Sequence, residues 1–111
     1  MPTPARIRST IATIAAPPED LRRVALVHKA LSDPTRLRIA TRLAAGEASV
    51  SELVALVELS QPLVSWHLRR LKVAGVVTTR RAGREVICSL DREGLERFHE
   101  EEHAMLGIGT R

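Results

Sequence analysis

Aromatic side chains are nearly absent: Trp66 and Phe98 are the only two among 111 residues. A core built from this chain must therefore be aliphatic. The hydrophobic fraction, 44%, is an ordinary supply for one modest domain. Cysteine is just as scarce. Cys88 stands alone, which excludes an intramolecular disulfide framework and fits a reducing cytoplasm. No apolar run approaches the roughly 20 residues that span a bilayer. The stretch IRSTIATIAAPP near the N-terminus lacks a signal-peptide core. A cytoplasmic protein is the expectation. There is no internal repeat and no low-complexity segment. There is also no nucleophile-base-orienter set, phosphate loop or strong metal-hydrolase motif, so an enzyme is not expected.

Acidic residues are missing from one stretch in particular. From Ser60 to Arg84 the chain carries Arg69, Arg70, Lys72, Arg80, Arg81 and Arg84 and no acid. From Asp91 to His103 there are six acids against Arg92 and Arg97. A net charge of +4 is a weak sign of a polyanionic partner. A basic middle followed by an acidic tail is a stronger one, because ordinary solvated faces intersperse the two signs.

Residues 1–18, rich in Pro, Ala and Thr, read as a weakly ordered arm ended by Pro17-Pro18. A first helix is expected over roughly 19–31, with Leu21, Val24, Ala25, Val27, His28 and Leu31 on its apolar stripe. Asp33 caps a second helix that opens on Pro34 and stops at Gly46 in a left-handed turn. Ser49 and Glu52 fit a capping box at the head of a third. After Gly75 the period changes to two: residues 76–90 read as a hairpin with Gly83 at its tip. Asp91 starts a last helix, carrying Leu95, Phe98 and Leu106, with Gly94 weakening its first turn. Residues 107–111 are expected to fray.

The most informative stretch is LSQPLVSWHLRRLKVAG, residues 59–75. Ser60 caps a new helix, and Pro62 is tolerated in its first turn because its missing N–H has no partner there. Val64, Leu68, Leu71 and Gly75 form one narrow helical stripe. Gln61, Ser65, Arg69 and Lys72 follow the same period on a neighbouring flank. An amide, a hydroxyl, a guanidinium and an ammonium are what reading base edges and holding phosphates requires. The order is then helix, helix, helix-turn-helix, basic hairpin, helix. That is a winged helix-turn-helix: mainly α, with a small β-hairpin wing. Arg80, Arg81 and Arg84 around the wing tip can lie along phosphates or enter a minor groove.

At these residues the chain resembles the ArsR/SmtB family of small winged-helix repressors. The matching stretches are ALSDPTRLRIATRLAAGE (30–47), SVSELVALVELSQPLVSWHLRRLKVAGVV (49–77) and RRAGREVICSL (80–90). The resemblance implies a homodimer formed by the first and last helices, a partly palindromic DNA operator and release by an inducer. Leu21, Val24, His28, Leu95 and Phe98 would then serve the dimer interface. By position, Ser60, Gln61, Ser65 and Arg69 are the base and phosphate contacts, with Arg70 and Lys72 beside them. Trp66 points away from the apolar stripe and either contacts the DNA backbone or packs beside the wing. His67, at the edge of the stripe, reads as a structural histidine.

Many family members carry a Cys-x-Cys metal site at the head of the third helix. Here those positions are Ser49 and Ser51, and hydroxyls are poor ligands for thiophilic ions. A second family site lies on the last helix and uses both protomers. This chain offers Asp91, Glu93, His99 and His103 there. The histidine pair sits at i, i+4, where two imidazoles can face one Zn, Ni or Co ion. The family spacing is not kept, so a histidine-acid surface without metal stands as the alternative. Cys88 reads as a buried small apolar residue, the alternative being a redox switch.

The expected function is a homodimeric DNA-binding transcriptional repressor released by an inducer. The alternatives are a regulator with no metal response and a winged-helix protein-interaction module without a DNA target.

Overall fold

The structure is a computed structural model, and it describes residues 17–108. The expected N-terminal arm lies outside the described residues up to position 16, as does the tail beyond 108. The elements run α1 (Pro18–Leu31), α2 (Pro34–Ala44), β1 (Ala48–Ser49), α3 (Val50–Val57), α4 (Gln61–Val73), β2 (Val77–Ala82), β3 (Glu85–Leu90) and α5 (Arg92–Leu106). Pro17 and Pro18 therefore open α1 and do not belong to an arm.

The caps follow from local sequence. The Asp33 carboxylate accepts the Arg36 N–H at 3.0 Å, and Pro34 occupies the first turn of α2. Ser49 and Glu52 close a reciprocal capping box on α3. Ser60 Oγ accepts the Leu63 N–H at the head of α4, and Asp91 accepts the Gly94 N–H at the head of α5. One expectation needs correction. Helix α2 ends at Ala44, and Gly46 adopts φ 146°, far from the left-handed helical value. In the turn between α3 and α4 the left-handed residue is Glu58, with φ 55°.

The hairpin is as expected, paired from Val77↔Leu90 to Ala82↔Glu85. Gly83, at φ 65°, takes the first place of a two-residue loop, the position a II′ turn reserves for glycine. The sheet holds a third strand that periodicity did not reveal. β1 pairs with β3 through Ala48↔Cys88 and Ser49↔Ile87, so the order is β1-β3-β2. Two residues are too few to show alternation.

Every described helix contributes to one core, aliphatic except for Phe98 of α5. Ile39, Leu43, Leu53, Val64 and Leu71 are fully buried. Val24 and Phe98 are buried within the single chain, where α1 packs against α5. They are thus core residues first, and of the α1 stripe Leu21, Ala25 and His28 remain exposed. Cys88 is completely buried behind the wing, and burial pushes its thiol pKa up, as suits an inert apolar residue.

Gly94 does more than weaken a turn. A Cβ built there would lie 2.3 Å from the Gly75 carbonyl oxygen. The first turn of α5 rests directly on the backbone that leaves α4. Gly94→Ala must therefore push the two segments apart. We expect a loss of about 1–3 kcal/mol, the usual cost of overpacking, read as a lower urea midpoint; an unchanged midpoint would show that the joint is loose.

Candidate nucleic-acid interface

Helix α4 separates its faces as its sequence dictates. Val64, Leu68 and Leu71 are buried, whereas Gln61, Arg69 and Lys72 are exposed and Ser65 is half-buried. Ser60 is exposed at the N-cap, its hydroxyl oxygen engaged by the Leu63 N–H. Gly75 lies past the helix end, at φ 81°. Lys72 Nζ donates to Thr79 Oγ1 at 3.0 Å. This contact ties the polar flank of α4 to the wing, so the two present one surface.

Strand alternation sorts the wing arginines. Val77, Thr79 and Arg81 share one face of β2 with Cys88 and Leu90 of β3, the face turned to the core and α4. Arg80 points to the other face. There it meets Glu47, with Nη2 2.8 Å from Oε1, and Ser89 Oγ also approaches that carboxylate. The acid-free run from Ser60 to Arg84 is therefore not acid-free in space. Among the described residues Arg81 and Arg84 enter no ion pair, and both are exposed. The free cations of this surface are Arg69, Lys72, Arg81 and Arg84. Arg80 is partly neutralised.

Trp66 does not pack beside the wing. It lines a groove between α1 and α4 with Leu26, Ala30 and Val73. The Arg70 guanidinium lies 4.8 Å from its ring centroid and that of Arg36 lies 5.7 Å away, within cation–π range. His67 is buried, as expected of a structural histidine. Arg36 Nε donates to the Ala30 carbonyl at 2.7 Å, at the C-terminal end of α1. Its Nη1 lies 3.1 Å from His67 Nδ1. A guanidinium only donates, so Nδ1 must accept and the ring must be neutral. Burial, reinforced by the Arg36 charge and opposed by Asp33, holds the His67 pKa below its ordinary value. Sequence reasoning missed Arg36 because the partners of its guanidinium are set by tertiary packing.

On α5, the His99 and His103 rings are exposed with centroids 6.1 Å apart. Asp91 caps the helix, and His99 follows it eight positions on, about 12 Å of helix. Among the described residues no group of three or more His, Cys, Asp and Glu side chains could hold a metal ion. Asp91, Glu93, His99 and His103 of one chain are thus not brought together. His28 pairs with Glu102 through Nε2 and stacks edge-on against Phe98. It packs against α5 within the chain. No described helix is long and apolar enough to cross a membrane.

Three comparisons with known proteins agree with this geometry. The family described as "Bacterial regulatory protein, arsR family" matches residues 33–79, which run from the cap of α2 into the wing. The HTH-type transcriptional repressor SmtB of Mycobacterium tuberculosis is 45% identical over 80 residues, 70% of this chain and 59% of that protein. The chain thus spans less than two thirds of that repressor. A cadmium resistance transcriptional regulatory protein CadC homolog of Staphylococcus aureus is 40% identical over 91 residues, 76% of this chain and 75% of its own. Among solved structures, the homodimeric winged helix-turn-helix DNA-binding domain of a possible ArsR-family transcriptional regulator from Mycobacterium bovis superposes with a TM-score of 0.64. It is 30% identical, over 74% of this chain and 77% of that one.

The neutral His67 gives the fold a pH dependence of known sign. Its folded pKa lies below the unfolded one, so the unfolded chain takes up the proton first on acidification. This contribution to stability is complete above the unfolded value of about 6.5 and is lost as pH falls below it. The urea midpoint is expected to drop between about pH 7 and about pH 5, with a shallower drop in His67→Gln. Parallel profiles for the two proteins would remove His67 from the effect.

Proposed function

The chain belongs to the arsR family of bacterial regulatory proteins, and from that premise we propose that it is a DNA-binding transcriptional repressor acting as a homodimer. The observation that carries this reading is the Lys72–Thr79 contact, which joins α4 and the wing into one cationic face. Gln61, Ser65 and Arg69 supply groups that discriminate base edges, while Lys72, Arg81 and Arg84 hold phosphates. Ser60 and Arg70 flank them, and Trp66 reaches the DNA only across the mouth of its groove. Two-fold symmetry sets two such heads on successive major grooves of a palindromic operator. The solved homodimeric relative supports that assembly. Exposed Leu21 and half-buried Leu95 offer apolar surface for it on α1 and α5.

An inducer releases such a repressor by favouring a dimer whose heads no longer fit the operator, a coupling of typically about 1–3 kcal/mol. One inducer within this reading is an ion, Zn, Ni or Co, held across the dimer by His99 and His103 of one α5 and Asp91 and Glu93 of the other. The name of the cadmium resistance relative supports a metal response in general and names no ion for this chain.

DNA affinity should fall steeply and linearly in log–log form as salt rises. Lys72→Ala and Arg81→Ala should each weaken binding across all sequences and reduce the salt slope by about 1. Arg80→Ala should reduce it less, because Glu47 already neutralises that charge. No binding to the protein's own upstream DNA at low salt would reject the reading in favour of a protein-interaction module. The ion is tested separately. Zn, Ni and Co titrated into the protein–operator complex should release wild type and spare the His99→Ala/His103→Ala double variant; equal release would exclude these histidines.

A further inference from the structure

The groove beside Trp66 has features that operator binding does not use. Its volume is about 510 Å³, within the range of small-molecule sites. Leu26 and Ala30 of α1 face Trp66 and Val73 of α4 across it. Val73 is 71% exposed and Leu26 and Trp66 are each 39% exposed, so the core leaves this apolar wall in contact with water. Every charged group on the lining is a cation: Lys29, Arg36, Arg69 and Arg70. Arg36 is fixed by the Ala30 carbonyl and His67. Among the described residues Arg69 and Arg70 enter no ion pair.

We propose that this groove is an effector site for a small amphipathic anion, a carboxylate carried on an aromatic or branched aliphatic body. The body covers Leu26, Trp66 and Val73, and the carboxylate is held by the guanidinium groups of Arg69 and Arg70 together. Both halves of the lining demand this chemistry. A phosphate alone would satisfy the cations and leave the apolar wall wet. A neutral hydrophobe would cover the wall and leave the cations unanswered. Arg69 also stands on the flank of α4 that faces DNA, so the bound anion competes directly with the operator for that side chain. This regulatory consequence rests on the repressor reading above; the binding itself does not. The site is also remote in sequence from His99 and His103, so variants separate it from an ion on α5.

Trp66 is the only tryptophan, and its emission reports the groove directly. Phenylbutyrate and the neutral phenylbutanol serve as probes on the full chain. Phenylbutyrate is expected to change Trp66 emission saturably and to bind about tenfold more tightly than the alcohol. Arg70→Gln should weaken the acid and leave the alcohol unchanged, and Val73→Asp should weaken the acid about tenfold, with melting curves confirming that both variants fold. No saturable change in wild type, equal affinity for acid and alcohol, or an acid affinity indifferent to both substitutions would overturn the site. Labelled operator DNA should be released as phenylbutyrate saturates. Saturation without release would overturn the regulatory role. Absence of operator binding before any probe is added would instead reject the repressor reading, and the emission titration would still decide the groove.

Discussion

The head of this molecule is held by the close passage of backbone between Gly75 and Gly94. Only a residue without a side chain lets the first turn of α5 rest on the Gly75 carbonyl. Asp91 reinforces the joint from both sides. Its N–H donates to the Val76 carbonyl at 2.8 Å, and its carboxylate accepts the Gly94 N–H. The end of α4, the base of the wing and the start of α5 are thereby one rigid corner. In a dimer built on α1 and α5, a change in packing between the two α5 helices reaches the heads as a rigid-body rotation rather than as local melting. Asp91 is engaged in this corner as a cap, which limits what it can offer an ion.

Charge placement matters more in this chain than its sum. Along the sequence the basic stretch looks uniform. In space, Glu47 takes Arg80 out of it, and Thr79 gives Lys72 a fixed place. Arg36 turns inward to join α1 to the buried His67. The remaining free cations divide between the wing tip and the flank of α4. Arg69 and Arg70 form the boundary between that flank and the apolar groove against α1. One helix thus presents two neighbouring surfaces of different character, a polar one and a half-apolar one.

What was legible in the sequence was local. Asp33, Ser49 with Glu52, Ser60 and Asp91 announce their helices because a cap bonds to a residue three positions away. The hairpin was legible from its period and from Gly83, and the resemblance named the architecture. Features that required distant partners were not legible. β1 exists only because β3 runs beside it. Gly94 looks like a helix defect until Gly75 is placed against it. Helical spacing places Trp66 opposite the apolar stripe, but helical geometry alone does not show that α1 stands there. The spread of Asp91, Glu93, His99 and His103 along the last helix was legible, because they are local in sequence. A set drawn from two protomers depends on a partner surface that local pattern does not encode.

The strand order has a consequence for how the wing survives in solution. β3 is covered on both sides, and β1 is too short to recruit another strand. Among the described residues that leaves β2 as the one long open edge, with unpaired backbone groups that could template pairing with a second molecule. Its exposed positions carry Thr78, Arg80, Arg81 and Ala82, and the Arg81 charge, in no ion pair among the described residues, repels an incoming copy of the same edge. The wing arginines therefore guard the sheet against self-association as well as contacting a polyanion. The Glu47 pair draws Arg80 over β3 toward β1, so the guarding charge on this strand falls to the unpaired Arg81.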